Sequence, residues 1–184
     1  MHWLIGSWAV FFSAFLVGHL RVRRSRGPNP AKENRVRREL SSNVGLLLQA
    51  LAVCLLFGFR EPVRPDRIPA SMVIAGASIG LAFWAIIRLG RQWRVQAVVT
   101  DDHELVTSGP YAIVRHPIYL AFLGMSASWA LAVSSPLIAA CAIGLFVVGT
   151  EIRIRAEDRL LEESFHEAFA AYRRRVSAYI PGFR

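Results

Sequence analysis

The sequence predicts an all-α, polytopic integral membrane protein with about five transmembrane helices, organised as one domain over residues 1–184. Three observations predict it. The chain is 54% hydrophobic, with mean hydropathy +0.36. Only 19% of its residues are charged, where a soluble domain carries about a quarter. The 22 basic and 13 acidic side chains all fall in 21–39, in 60–67, in 88–104, at Arg115 and in 151–184. These features exclude a disordered chain, a disulfide-stapled secreted domain and an ordinary soluble enzyme.

Each span follows from a length requirement. The hydrocarbon core is about 30 Å thick and a helix rises about 1.5 Å per residue, so a crossing takes roughly 20 apolar residues. Residues 3–20 are uncharged and rich in Phe, Leu and Val, and form the first span. Residues 44–59 form a shorter second one, with Gln49 as its most polar member. The third covers 68–89 and contains Gly76 and Gly80, a small-xxx-small spacing that permits close helix contact. Residues 117–150 are uncharged throughout, and as one helix they would reach about 51 Å. Ser134-Ser135-Pro136 divides them into spans 117–133 and 136–152. Leu161, Phe165, Phe169, Tyr172 and Val176 recur at three and four residues, predicting an amphipathic cytoplasmic helix over 156–177.

Basic residues in short loops set orientation. The loop after the first span holds Arg21, Arg23, Arg24, Arg26, Lys32, Arg35, Arg37 and Arg38, so it is expected in the cytoplasm. The N-terminus is then outside and the C-terminus inside, in the inner or plasma membrane if the source is bacterial. Arg60, Arg64 and Arg67 in the outer loop run against this pattern. The first span reads as an anchor and not a signal peptide, because no basic start precedes it. The +9 net charge is read as topology setting and contact with anionic headgroups, not nucleic-acid binding. Cys54 and Cys141 sit mid-span as expected packing residues, and no metal-ligand spacing is evident.

Two polar segments remain for chemistry, 88–116 and 151–184. In the first, turn signals at 100–102 and 108–110 enclose a short extended piece. His116-Pro117 opens the fourth helix, whose exposed amides and positive partial charge suit a carboxylate. Tyr119 shares the face of His116. In the second segment Arg153 and Glu157 stand four apart, which spacing alone reads equally as an intrahelical ion pair. Likewise His116 alone reads as a helix cap, Tyr111 and Tyr119 as interfacial aromatics, and Glu104 as a solvated loop charge.

The segment SGPYAIVRHPIY at 108–119, then a helical hairpin, then an acidic pair, resembles the isoprenylcysteine carboxyl methyltransferase family. It is also similar to the wider group containing phospholipid N-methyltransferases. The resemblance covers 89–181 and rests on Gly109, Tyr111, Arg115, His116, Pro117, Tyr119, Arg153, Glu157, Leu161, Phe165, Tyr172 and Pro181. Three positions depart: Asp158 stands where a second Glu is usual, His166 where Gly is usual, and Phe169 where Tyr is usual.

The resemblance implies methyl transfer from S-adenosyl-L-methionine to a lipophilic acceptor, leaving S-adenosyl-L-homocysteine in a cytoplasmic pocket closed by the C-terminal segment. It implies that Gln96, His103, Glu104, Leu105, Val106, Tyr111, His116, Pro117, Ile118, Tyr119 and Glu157 contact the cofactor, and that Arg153 binds an acceptor carboxylate. Carboxyl methylation of a prenylcysteine-like compound leads, with phospholipid amines and small thiols as other acceptors. Other classes are an NADPH-dependent membrane reductase and a non-catalytic adaptor. The sequence is silent on oligomeric state.

Overall fold

The structure is a computed structural model describing residues 2–25, 37–38, 41–90, 98–99 and 104–180. Among the described residues the α-helices are five: α1 (His2–Ser25), α2 (Ser41–Gly58), α3 (Ile68–Leu89), α4 (Pro117–Val133) and α5 (Pro136–Arg175). Two-residue strands β1 (Arg37–Arg38) and β2 (Val98–Val99) pair antiparallel, with Arg37 opposite Val99. They join the α1–α2 and α3–α4 connections at one end of the bundle. Four of the helices are long and apolar enough to cross a membrane, and α4 is a shorter apolar helix.

The exposed and buried faces identify the solvent. Leu47, Val73 and Leu137 are 67%, 71% and 72% exposed, while the inward stripes carry small residues such as Ala52, Ala75, Ala82, Ala132 and Ala142. Large apolar groups outside and small ones between helices is the arrangement lipid favours, because lipid gains nothing from hiding Leu. The chain is an integral membrane protein.

Helix α2 packs chiefly on α5, α3 on α4, and α1 on α3. Two hydroxyls cross-link α3 and α4: Ser71 Oγ donates to the Ser128 carbonyl at 2.6 Å, and Ser128 Oγ to that of Ser71 at 2.8 Å. Trp129 Nε1 donates to the Leu56 carbonyl of α2 at 3.1 Å, and its ring stacks on Phe57. At 17 residues α4 is about 25 Å long. Its last carbonyls are met by the loop between α2 and α3, where Glu61 N–H donates to Val133 and Arg64 N–H to Ala132.

Several expectations need correction. Gly76 and Gly80 face open space, and close approaches are made elsewhere, by Gly45 of α2 against Gly149 of α5 and by Gly124 of α4 against Ser78 of α3. Any small pair satisfies the spacing; the rotation of the helix decides which pair meets a neighbour. Cys54 and Cys141 are exposed, so neither packs the core. Helix α1 runs past residue 20 through Arg21 and Arg23, since arginine favours helix whatever the solvent.

The fifth span and the amphipathic helix, expected as 136–152 and 156–177, form one helical run through Arg175. No Gly or Pro interrupts 150–156, and Arg155 reaches back to Glu151 at 3.8 Å. The break comes later, at His166, where φ is 43° and ψ is −117°. Phe165 just before it is half-buried, and beyond it Phe169 and Tyr172 are buried and Val176 half-buried, so the predicted stripe does face inward. A side chain is strained in this backbone region, where Gly is not, which accounts for the glycine usual here in the family resembled. Replacing His166 by Gly should therefore stabilise the folded protein by about 1 kcal/mol, read as a raised thermal midpoint in detergent, whereas His166→Val should lower it.

Candidate functional site

The site is assembled at the bundle end where α4 begins. Gly109 turns the chain with φ 66°, and a Cβ there would lie 3.2 Å from Arg88 Cγ and 3.4 Å from Trp84 Nε1. Arg88 Nε donates to Ser108 Oγ at 2.8 Å, tying the turn to α3. Pro117 takes the first position of α4 and leaves His116 as the residue before it, with φ −124°. Its ring makes no cap hydrogen bond; it reaches α5 instead. The helix-cap alternative for His116 is thereby removed.

Both ring nitrogens of His116 meet carboxylates of consecutive residues. Nδ1 lies 3.3 Å from Glu157 Oε2 and Nε2 lies 3.0 Å from Asp158 Oδ1. The second oxygen of Asp158 pairs with Arg115 Nη2 at 3.0 Å. Tyr119 Oη donates to Glu157 Oε1 and accepts from Arg153 Nε at 2.8 Å. The Arg153 guanidinium stands over the Tyr119 ring, 5.3 Å from its centre, and 4.0 Å from Glu157 Oε1. The C-terminal segment straps this cluster from outside. Arg115 N–H donates to the Ser177 carbonyl and His116 N–H to that of Ala178, each at 2.8 Å. Arg115 Nη1 donates to the Val176 carbonyl at 2.6 Å, and Tyr172 Oη to that of Tyr111 at 2.6 Å.

The charge states follow from these contacts. Burial is the largest influence on His116 and lowers its pKa, but hydrogen bonds and charge from Asp158 and Glu157 together outweigh it and raise the value to about 9. Burial likewise works to raise Glu157 and Asp158, and is outweighed by His116, with Arg153 helping on Glu157 and Arg115 on Asp158; both carboxyls are held below their ordinary values. Burial, then the charge of Glu157, pushes the Tyr111 phenol up, so it stays protonated. At neutral pH the cluster thus holds three cations (Arg115, His116, Arg153) and two anions. A doubly protonated imidazole with both N–H groups committed is a fixed charge and not a base.

The structure brings together five of the residues singled out from sequence: Tyr111, His116, Tyr119, Arg153 and Glu157. Pro117 is buried beneath them, whereas Ile118 packs into the apolar core. Glu104 is exposed, and among the described residues neither it, Leu105 nor Val106 hydrogen-bonds to the cluster. Gln96 and His103 lie outside the described residues. Asp158, read from the sequence as the second member of the acidic pair and with Glu157 as a candidate proton acceptor for an amine substrate, instead pairs with His116 and Arg115, a role the sequence reading does not give it. Among the described residues no group of three His, Cys, Asp or Glu side chains is arranged to hold a metal ion.

Because His116 gains its raised pKa on folding, its stabilisation is complete below its ordinary 6.5 and is lost as pH climbs through about 9. That stabilisation is on the order of 3 kcal/mol. The lowered Glu157 and Asp158 act oppositely: their contribution is present above the ordinary 4.5 and 3.8 and fades as pH falls below those values. Thermal midpoints in detergent should decline from pH 6.5 to 9 in the wild-type protein, and His116→Gln should abolish that alkaline decline.

Residues 70–163 match the isoprenylcysteine carboxyl methyltransferase (ICMT) family. Protein-S-isoprenylcysteine O-methyltransferase B of Arabidopsis thaliana is 33% identical over 139 residues, covering 73% of this chain and 69% of the plant protein. The Xenopus laevis protein-S-isoprenylcysteine O-methyltransferase is 31% identical, over 77% of this chain and 52% of its own length. The cobalt-zinc-cadmium resistance protein CzcN of Cupriavidus metallidurans is 34% identical, over 56% of this chain and 48% of its own, so this chain spans about half the length of that relative. With the motif residues converged on one cluster and the match running from α3 into α5, the chain belongs to the isoprenylcysteine carboxyl methyltransferase family.

Proposed function

We propose that the protein transfers a methyl group from S-adenosyl-L-methionine to a lipophilic acceptor, with the carboxylate of a prenylcysteine-like compound as the acceptor class. One observation carries this: α4 and α5 bring His116, Tyr119, Arg153 and Glu157 into one cluster at the polar end of an otherwise apolar bundle. The names of the plant and frog relatives support the acceptor class.

The donor set fits the cofactor. Glu157 is 26% exposed while His116 and Arg153 are 6% exposed at their side chains, so the carboxylate keeps an open face for an incoming cation. Glu157 would accept from the ammonium or ribose, Tyr111 would pack against the cofactor, and the His116 end of α4 would meet its carboxylate. The bound cofactor supplies a methyl group already activated on a sulfonium. This chain's residues contribute alignment, exclusion of water and charge balance. A carboxylate acceptor is ionised at neutral pH and needs no general base, in keeping with a His116 whose nitrogens are both committed. Arg153 would hold that carboxylate. The excess of arginine in 21–38 supports a cytoplasmic location for this end, with the N-terminus outside.

Purified protein in lipid nanodiscs should bind S-adenosyl-L-homocysteine and transfer labelled methyl to an N-acylated S-prenylcysteine in preference to phosphatidylethanolamine or a small thiol. Binding of NADPH without S-adenosyl-L-homocysteine would overturn the proposal in favour of a reductase. Glu157→Ala should abolish cofactor binding. Arg153→Ala should raise KM for the carboxylate acceptor about tenfold or more while leaving cofactor affinity near wild type, since losing one charged contact costs roughly 1.5–3 kcal/mol.

A further inference from the structure

Helix α2 precedes residues 70–163, yet it touches the residue assigned here to the acceptor carboxylate. At Gly45 an added Cβ would stand 2.6 Å from Cγ of Arg153 and 2.5 Å from the Gly149 carbonyl oxygen. The missing side chain is therefore the space that the aliphatic stem of Arg153 occupies. One turn further on, Gln49 Nε2 donates to Thr150 Oγ1 at 2.8 Å, and a Cβ at Gly149 would stand 3.1 Å from Gln49 Cγ. That buried bond sets the register of α2 on α5 beside the notch. Arginine has four rotatable side-chain bonds and loses about 2 kcal/mol of rotamer freedom when fixed, so a guanidinium is aimed only if its stem is held. Here the stem lies against α2 while the head meets Tyr119 and Glu157.

We infer that Gly45 is a positioning residue for Arg153: its bare Cα provides the notch that directs the guanidinium across Tyr119 into the site. The inference rests on the methyltransferase proposal only for the consequence in catalysis; the placement of the side chain is testable without it. Any side chain at position 45 displaces the Arg153 stem and turns its head out of the cluster.

The test is full-length protein in nanodiscs, comparing Gly45→Ala with Gly149→Ala. The latter strains the same crossing, through the Gly45 carbonyl oxygen at 2.7 Å and Gln49, without meeting the Arg153 stem. Labelling of Arg153 by an arginine-directed dicarbonyl reagent, read by peptide mass spectrometry, should rise several-fold in Gly45→Ala and much less in Gly149→Ala. KM for the N-acylated S-prenylcysteine should rise about tenfold in Gly45→Ala, with KM for S-adenosyl-L-methionine unchanged. In an Arg153→Ala background Gly45→Ala should add nothing further to the acceptor KM. If wild-type protein methylates no carboxylate, the function proposal fails while the labelling still decides the placement. Labelling at the wild-type level in a folded Gly45→Ala protein, or full additivity with Arg153→Ala, would overturn the inference. Should Gly45→Ala not fold, Gly45→Ala/Arg153→Ala is compared with Gly149→Ala/Arg153→Ala, which keeps a backbone clash of the same kind but no clash with the Arg153 stem: recovery of the former alone supports the notch, and recovery of both or of neither overturns it.

Discussion

His116 is the point at which the whole polar end of the molecule is held. An imidazolium with a carboxylate on each nitrogen is stable in a poorly hydrated place only because both partners sit on one rigid helix. Glu157 and Asp158 are neighbours on α5, so they cannot separate from each other, and clasping one ring between them fixes α5 against the start of α4. Removing either carboxylate would leave a buried charge partly unpaired, the situation that costs most in a low-dielectric setting. Arg115 and Arg153 then balance the second oxygens, and Tyr119 links Arg153 to Glu157, accepting from the one and donating to the other.

The apolar bundle serves this cluster by geometry and not by chemistry. Lipid gives no drive for one helix to hide Leu from another, so close crossings come from small residues and from hydroxyl pairs. Gly45 against Gly149, and Ser71 against Ser128, are the two crossings that matter most. The first lies one turn of α5 from Arg153, which links a packing feature inside the membrane to the side chain at its rim.

The departures from the resembled family acquire meanings from their surroundings. Asp158 has a shorter arm than Glu, yet one oxygen reaches His116 and the other Arg115. His166 occupies a backbone region suited to glycine, and the bend there lets the end of α5 and the strap after it lie over the start of α4. Phe169 is fully buried and packs edge-on to Tyr172, whose hydroxyl is spent on Tyr111.

By itself the sequence determined the apolar segments, the split at Ser134–Pro136 and the grouping of polar residues at one end, because charge placement and segment length against bilayer thickness are local properties; that the fifth span runs on into the amphipathic helix it did not determine. It also marked Tyr111, His116, Tyr119, Arg153 and Glu157, since their order around a hairpin is a pattern in one dimension. Only the tertiary structure decided that Asp158 shares His116 with Glu157, that Gly45 and not Gly76 or Gly80 makes the tight crossing, and that α5 breaks at His166. Those outcomes depend on how far each helix is rolled about its own axis and on which neighbour it meets. Spacing along a chain sets which residues share a face, but it leaves undetermined what that face will touch.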